Sequence, residues 1–277
     1  MIAWKRMKLL IKSPGHAPGV YPICVRGRDL QHLSFTIVEL GGNLPRHAFE
    51  SGEEELALGF HTGPVWVQVD APSGTLSAET PLRETVTRPG PLVYVPAGAR
   101  VTLEALDGPA RIIVAGAAGK PGAPPVLVAP EEADKKIVGR DNWQRTVYTQ
   151  LADNVGAAHL LVGETVNQPG GWSGWPAHKH DCFAPPSEVP MEEIYYFRAE
   201  PPQGFGFIRV YTDPQDPEPF DCALAVEDGD TVLVPRGYHP VVAGPGYALN
   251  FTWIMAGAGR TWGAWTEDPR HTWIKAT

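Results

Sequence analysis

Short runs of apolar, β-branched and aromatic residues recur along the chain, and several of them alternate with polar residues. Two examples are Leu33–Leu40, which reads LSFTIVEL, and residues 64–69, which read PVWVQV. Successive side chains of a strand point to opposite faces of a sheet, so this pattern is typical of β-strands. In the first half of the chain it predicts strands at residues 7–11, 33–40, 64–69, 91–96, 101–105 and 111–114.

The second half repeats the pattern, with tight-turn sequences such as PPQG and GPG between the apolar runs. Strands that start roughly every 8–12 residues indicate an all-β sandwich or barrel. The short acidic run at residues 53–55 is interpreted as a solvated turn. The further predicted strands lie at residues 146–150, 159–164, 193–198, 206–212, 222–226, 231–234 and 247–255.

The pattern also predicts two domains. Residues 117–135 are rich in proline, glycine and alanine, as interdomain linkers often are. We therefore expect a domain at 1–120, a linker at 121–138 and a second domain at 139–277. The segments LVYVPAGARV (92–101) and VLVPRGYHPV (232–241) share one pattern of strand, proline and glycine. This weak internal repeat predicts two β domains of one kind, the first of which lacks the histidine.

Composition restricts the partners. The 277 residues are 43% hydrophobic and 19% charged, and 29 prolines with 30 glycines suit short strands joined by turns. A net charge of −8 disfavours nucleic acid and anionic membranes. Neither a membrane-spanning run of about 18 apolar residues nor a signal peptide is visible, and three cysteines predict no disulfide framework. We expect a cytoplasmic enzyme.

Three histidines and a carboxylate form the candidate chemistry. His178 and His180 are two residues apart, so in an extended segment they point the same way. Glu192 and Glu193 open the next predicted strand, and His239 follows the strand at 231–234. Imidazoles with one carboxylate suit a divalent metal such as Zn²⁺, Mn²⁺ or Fe²⁺, with a position open for substrate.

The order of these groups resembles the cupin superfamily, in which a His-x-His motif and a glutamate precede a glycine-bounded turn and a third histidine. Two departures separate this chain from the general pattern. Residues 181–192 intervene between His180 and Glu193, and Tyr238 alone separates Gly237 from His239. The proline-rich residues 181–192 are interpreted as an inserted loop. The cupin register implies that Glu193, rather than Glu192, is the ligand.

A narrower family matches these departures. The chain contains GRDNWQRTV at 139–147, VGETVNQPGGWSGWPAHKHD at 162–181, EEIYYF at 192–197 and VEDGDTVLVPRGYHPV at 226–241. These segments resemble the 5-deoxy-glucuronate isomerases of bacterial myo-inositol catabolism, and more distantly the 5-keto-4-deoxyuronate isomerases. The resemblance is dense over 139–256 and looser over 1–120. It implies an all-β bicupin with one metal, zinc before manganese, held in the C-terminal barrel by His178, His180, Glu193 and His239.

The same resemblance implies the reaction, the conversion of 5-deoxy-D-glucuronate to 5-dehydro-2-deoxy-D-gluconate. Such a reaction requires a base within reach of the substrate, unless hydrogen moves as a hydride. Glu192, Tyr211 and Tyr238 are candidate catalytic groups. Other candidates are Glu164, Glu188 and a metal-bound hydroxide.

The substrate carboxylate requires a cation, for which Arg209 and Arg236 are the candidates. Arg209 shares a strand face with Phe207 and Tyr211, which predicts a barrel-lining row. Asp181 is expected to orient an imidazole.

Two other functions stay open at this point. Cupins with the same donors also activate oxygen, which leaves a metal-dependent dioxygenase, and a non-catalytic sugar-acid-binding cupin is the third reading. The expected partner is a small sugar acid, and self-association into a homo-oligomer is plausible because β edges are expected to be exposed.

Overall fold

A computed structural model describes residues 8–120 and 122–276, which contain strands and three short 3-10 helices but no α-helix. The N-terminal half contains ten strands followed by an eleventh in the predicted linker. They are β1 (Leu10–Ile11), β2 (Gly19–Cys24), β3 (Leu33–Leu40), β4 (Arg46–Glu50), β5 (Glu54–Thr62), β6 (Val65–Ala71), β7 (Gly74–Thr80), β8 (Leu92–Val95), β9 (Arg100–Ala105), β10 (Ala110–Ala118) and β11 (Val126–Val128).

The C-terminal half contains the remaining strands. They are β12 (Asp134–Val138), β13 (Arg145–Leu151), β14 (Leu161–Asn167), β15 (Trp172–Ser173), β16 (His178–Lys179), β17 (Glu192–Glu200), β18 (Phe205–Tyr211), β19 (Asp221–Glu227), β20 (Thr231–Val234), β21 (Val241–Ala243), β22 (Ala248–Ala256) and β23 (Thr266–Glu267). The 3-10 helices are Pro130–Glu132, Asp141–Trp143 and Thr272–Lys275.

Each half is a sandwich of one large and one small antiparallel sheet. The N-terminal sandwich pairs the sheet β11-β8-β5-β10-β3-β2 with the sheet β4-β9-β6-β7. The C-terminal sandwich pairs the sheet β1-β20-β17-β22-β14-β13-β12 with the sheet β15-β21-β18-β19. Separate clusters of buried apolar side chains fill the two sandwiches. The all-β, two-barrel architecture predicted from the sequence is therefore confirmed.

The two large sheets pack against each other back to back. Phe35 and Tyr94 from the N-terminal sheet lie in one core cluster with Ile194, Tyr196 and Leu233 from the C-terminal sheet. The central strand β17 therefore has two apolar faces, since Tyr195 and Phe197 fill the C-terminal barrel. A strand buried on both faces is expected to be apolar, as β17 is over residues 194–197.

Several observed strands, among them β2, β4 and β7, have no predicted counterpart, and three further differences concern segments that the sequence analysis interpreted. Residues 10–11 of the strand predicted at 7–11 form β1, and residue 7 lies outside the described residues. The acidic run belongs partly to β5, and Glu55 is fully buried, so the prediction of a solvated turn is wrong there.

The third difference is the predicted linker, residues 121–138. It is not a plain connection, because β11 joins the N-terminal sheet and β12 joins the C-terminal sheet. Among the described residues, no helix is long and apolar enough to cross a membrane.

Candidate active site

Three imidazoles and one carboxylate meet at one end of the C-terminal barrel. The nitrogens of His178, His180 and His239 that can bind a metal lie within 4.8 Å of one another. Glu193 Oε2 lies 3.2 Å from His180 Nε2 and 3.1 Å from His239 Nε2. The four side chains come from β16 and the residue after it, from β17, and from the turn after β20, so the sheet brings distant parts of the chain together.

Backbone carbonyls orient two of the rings. His180 Nδ1 donates to the carbonyl oxygen of Met191 at 2.8 Å, and His239 Nδ1 donates to that of Gly237 at 2.8 Å. A ring that donates through Nδ1 presents the lone pair of Nε2, which is the form that binds a metal. The carbonyls thus turn both Nε2 atoms toward Glu193.

The electrostatics differ between the members of the cluster. Burial lowers the pKa of His178 well below its usual value, and the neighbouring His239 and His180 lower it further. Burial also acts to lower the pKa of His180, but the hydrogen bond and charge of Glu193 outweigh it and raise that pKa. Burial alone would raise the pKa of Glu193, but the two adjacent imidazoles of His180 and His239 outweigh it and bring that pKa to about 2.

The lack of a hydrogen-bond partner at one buried nitrogen bears on whether a metal fits this site. His239 Nε2 is buried and has no well-aligned hydrogen-bond partner among the described residues, although Glu193 Oε2 is close. A buried polar atom without a partner costs about 1–3 kcal/mol unless something else binds it. Three imidazole nitrogens and one carboxylate oxygen are a donor set for a divalent cation, so the residues present fit a metal.

A cavity of about 260 Å³ opens beside these groups on the inner face of the large C-terminal sheet. Trp253, Met255 and Phe251 make much of its wall apolar, and Trp262 and Trp265 from the segment after β22 also line it. Trp262 stacks on Trp253 with ring centroids 5.0 Å apart. The other lining residues are Lys136, Val138, Arg145, Val147, Thr149, Thr165, Gly174, His178, Glu193 and Tyr195.

The size and polarity of this cavity suit a small polar molecule whose reactive end lies at the histidines. The chain matches the model of the KduI/IolB family over residues 10–274. It belongs to the KduI/IolB family. The resemblance found in the sequence motifs is thereby confirmed, and the match includes the N-terminal half.

Two relatives carry the same name. The 5-deoxy-glucuronate isomerase of Geobacillus kaustophilus (strain HTA426) is 41% identical over 182 residues, which are 66% of this chain and 64% of that protein. The alignment thus spans slightly less than two thirds of that relative. The 5-deoxy-glucuronate isomerase of Bacillus velezensis (strain DSM 23117) is 33% identical over 260 residues, which are 92% of each chain.

Solved structures agree with the family assignment. An IolB-like protein from Salmonella typhimurium LT2 superposes with a TM-score of 0.86 at 30% identity, covering 97% of this chain and 99% of that one. The oxalate decarboxylase of Lactobacillus farciminis superposes with a TM-score of 0.68 at 12% identity, covering 98% and 90%. The second likeness shows the shared two-barrel fold alone.

The candidate catalytic groups named from the sequence do not line the cavity of this KduI/IolB protein. Glu192 faces the other side of β17, where its carboxylate accepts hydrogen bonds from the backbone N–H groups of Gln31 (2.9 Å) and His32 (2.7 Å). Tyr211 donates to Asp268 Oδ2 at 2.8 Å and packs against Tyr238 with ring centroids 5.1 Å apart. The structure thus places all three residues away from the cavity of about 260 Å³.

Two further carboxylates considered as bases form hydrogen bonds outside the cavity. Glu164 accepts hydrogen bonds from Arg83 Nη2 at 2.6 Å and from Asn250 Nδ2 at 2.7 Å. Glu188 accepts the backbone N–H groups of Asp181 and Cys182, each at 2.7 Å. Both carboxylates are therefore structural.

The two arginines proposed to bind the substrate carboxylate are outside the cavity as well. Arg209 is exposed on the row of Phe205 and Phe207, and it forms a bidentate pair with Asp221 at 2.8 and 2.6 Å. The predicted barrel-lining row is thus the outer face of β18. Arg236 donates to Asp216 Oδ1 at 2.9 Å, away from the histidines.

Asp181 plays a different part from the one predicted. Its Oδ2 accepts the backbone N–H of Gly237 at 2.9 Å, so it holds the turn that carries His239 rather than an imidazole. Asp181, Cys182 and Glu188 lie close enough to suggest a second metal site. The ammonium of Lys179 bonds to all three, so the cluster already has its cation.

The structure adds two residues that the sequence reasoning missed. Tyr195 lies two positions after Glu193, on the same face of β17, and lines the same cavity. Burial raises the pKa of Tyr195 well above its usual value, and the charge of Glu193 raises it further, so the phenol keeps its proton. The period of two along EEIYYF was the signal that could have found it. The second residue, Arg145, is discussed below.

Proposed function

We propose that this protein is an aldose–ketose isomerase that converts 5-deoxy-D-glucuronate to 5-dehydro-2-deoxy-D-gluconate with the help of one divalent metal. The observation that carries the proposal is the convergence of His178, His180, His239 and Glu193 in a KduI/IolB chain, beside a cavity that His178 and Glu193 line. The name shared by its relatives supports the substrate.

The metal would be held by the three histidines and Glu193. Zinc suits this donor set best, with manganese or iron next. When bound, it would polarise the aldehyde oxygen and the neighbouring hydroxyl, which makes the C2 hydrogen easier to remove.

Moving the carbonyl from C1 to C2 requires two transfers, one of the C2 hydrogen to C1 and one of a proton from the C2 oxygen to the C1 oxygen. The neutral phenol of Tyr195 is suited to the second task, because it can donate a hydrogen bond to the oxygen that gains charge. Burial and the nearby charge of Glu193 raise the pKa of this phenol, so it keeps its proton. Apolar walls around Trp253 and Phe251 would keep bulk water from the reacting atoms.

The first transfer needs no side-chain base if the hydrogen moves directly as a hydride. Glu164, Glu188 and Glu192 all lie outside the cavity, and within the described ranges Glu193 is the carboxylate that lines it. A carboxylate engaged by two imidazoles is a poor base, since its pKa is about 2. We infer the hydride route.

Purified, metal-loaded protein is expected to convert 5-deoxy-D-glucuronate to the ketose without consuming oxygen and without a redox cofactor. A substrate carrying deuterium at C2 should give product that keeps the label at C1 in ordinary water, because a direct shift exchanges nothing with solvent. Nuclear magnetic resonance of the product and an oxygen electrode measure the two results.

Each alternative gives a different result in the same assay. Oxygen uptake during turnover would support a dioxygenase, and binding of the sugar acid without turnover would support a non-catalytic cupin. Loss of the deuterium label would refute the hydride route and leave the isomerase function intact.

Replacement of Tyr195 by phenylalanine is expected to lower kcat by about 10²-fold, a usual size for loss of one proton-transfer or oxyanion group. The ring and its packing against Phe251 persist, so the fold and the metal content should not change. Steady-state kinetics with elemental analysis test this.

Tyr148→Phe is the matched control, since Tyr148 packs in a separate small cluster outside the cavity. A Tyr195→Phe protein with wild-type kcat would exclude the phenol from the reaction.

A further inference from the structure

One guanidinium lies on the cavity wall among the groups proposed to act on the substrate. Arg145 is the first residue of β13 and lines the same cavity as His178, Glu193 and Tyr195. Its Nη1 donates to the backbone carbonyl oxygens of Trp143 at 3.3 Å and Trp175 at 3.1 Å. These two bonds fix the guanidinium without neutralising it.

The positive charge of Arg145 has no acidic partner in the described parts of the chain, where no carboxylate oxygen lies within 4.0 Å of it. Other arginines of the C-terminal half are paired, as Arg198 is with Asp228 at 2.7 Å and Arg209 with Asp221 at 2.6 Å. Glu267 acts on Arg145 only at longer range and is itself bonded to Lys275 at 2.6 Å.

Holding this charge in place is costly. Burial lowers the pKa of Arg145 to about 10, which still leaves the side chain protonated at neutral pH. A half-buried, pre-oriented cation without a counter-ion is a binding site for an anion. Both carbonyl bonds use Nη1, so the edge formed by Nε and Nη2 is left to face a carboxylate as a fork.

The strand register separates this cation from the metal-binding end. Glu193 is paired with Met255 and Tyr195 with Trp253. Phe251 is two residues before Trp253, on the same face of β22. Thr165 is opposite Phe251 and Val147 is opposite Thr165, and Arg145 is two residues beyond Val147. The floor of the cavity therefore runs from the Glu193 end to the residue that carries the guanidinium.

Arg145 nonetheless shares its cavity with the reacting end. Its Nη1 donates to the carbonyl oxygen of Trp175, three residues before His178, and the side chain lines one cavity with His178 and Tyr195. One small molecule in a cavity of about 260 Å³ can thus contact both the metal-binding groups and the guanidinium.

We infer that Arg145 binds the terminal carboxylate of the substrate and selects open-chain hydroxy-aldehydes that end in a carboxylate over neutral sugars. This inference rests on the proposed isomerase function for the position of the reacting carbonyl. A carboxylate in the fork would supply the missing counter-ion, and the fixed length between fork and metal-binding end would set the aldehyde against the histidines.

Replacement of Arg145 by glutamine is expected to raise KM for the uronate by about 100-fold, which is the usual size for loss of a charge-assisted, bidentate contact, with a smaller change in kcat. Arg145→Lys keeps the charge and loses the fork, so its KM should rise by about tenfold. Arg209→Gln removes an equal charge from the outer face and should leave KM unchanged. Elemental analysis should give equal metal content in all four proteins.

Binding without turnover separates this inference from the proposed function. Reduction of the aldehyde of 5-deoxy-D-glucuronate gives an open-chain acid that cannot isomerise, and the matching deoxyhexitol lacks its carboxylate. In calorimetric titrations, the wild-type protein should bind the acid at least about tenfold more tightly than the hexitol, and Arg145→Gln should abolish that preference.

The outcomes are distinct. Wild-type protein that prefers the acid but turns over no uronate would refute the isomerase function and retain the anion site. An Arg145→Gln protein that keeps both the wild-type KM and the preference for the acid would overturn the inference. If thermal unfolding shows that Arg145→Gln is not folded, Arg145→Lys takes its place in the test. An unchanged preference for the acid in that protein would refute the claim that the guanidinium fork binds the carboxylate.

Discussion

A protein carrying His239→Ala is expected to lose its metal and more than about 10³-fold of its turnover while it stays folded. His239 supplies the buried Nε2 that has no well-aligned hydrogen-bond partner in the described residues, and the ring sits within 5.1 Å of the His180 ring centroid. Without it, two imidazoles and Glu193 remain as donors. The hydrogen bond that is lost joins His239 to Gly237 within one turn, so the sandwich should persist.

Elemental analysis, kinetics and thermal unfolding of the same preparation check this result. His47→Ala is the control, because His47 lies on β4 of the N-terminal sandwich and stacks on Phe49. That protein should keep its metal and its turnover. Full metal occupancy in the His239→Ala protein would remove this histidine from the ligand set.

Replacement of Glu55 by alanine is expected to lower the free energy of unfolding by about 3–5 kcal/mol. This is the usual cost of leaving several buried polar groups without hydrogen-bond partners. Its carboxylate accepts the backbone N–H groups of Ala158, His159 and Leu160 at 2.6, 2.7 and 2.8 Å. It also accepts the hydroxyl of Tyr94 at 3.1 Å. Alanine leaves all four donors without their acceptor at the junction of the two halves.

Urea unfolding measures this loss, and Glu53→Ala is a matched control two residues earlier. Glu53 is exposed, so its replacement should change stability by less than about 0.5 kcal/mol. Equal stabilities of the two variants would show that the junction does not depend on the buried carboxylate.

The convergence of the three histidines and Glu193 could be predicted because its geometry follows from local rules and from the motif resemblance. The spacing of His178 and His180 fixes a common direction, and the register of Glu193 in an apolar strand fixes which carboxylate points inward. In the structure Glu193 is 4% exposed and its neighbour Glu192 faces the other half of the molecule.

The arginine on the cavity wall could not be predicted in the same way, and the sequence pattern pointed to a different one. Phe205, Phe207 and Arg209 alternate along β18 just as inward-facing residues do, but the row faces outward in the small sheet. A period of two shows that a strand has two faces without showing which one is inside, and in β18 the aromatic residues Phe205 and Phe207 lie on the outward row. Arg145 gives no local signal, since its surroundings come from β14, β17 and β22.

Glu55 shows a related limit of local reasoning. Three consecutive glutamates at 53–55 have the composition of a solvated turn, and Glu53 is indeed exposed. The donors that bind Glu55 lie 103–105 residues later in the chain. No pattern within the run itself distinguishes the buried member from its neighbours.

The first described strand belongs to the distant half of the molecule, since β1 pairs with β20 at the edge of the large C-terminal sheet. A chimera that joins the first half of one family member to the second half of another would therefore bring a foreign edge strand to the C-terminal barrel. Leu10 and Ile11 would have to be inherited together with Val232 and Thr231, whatever the crossover point. Recombination within this family is thus constrained by the path of the chain, with the natural unit of exchange being the whole two-barrel body.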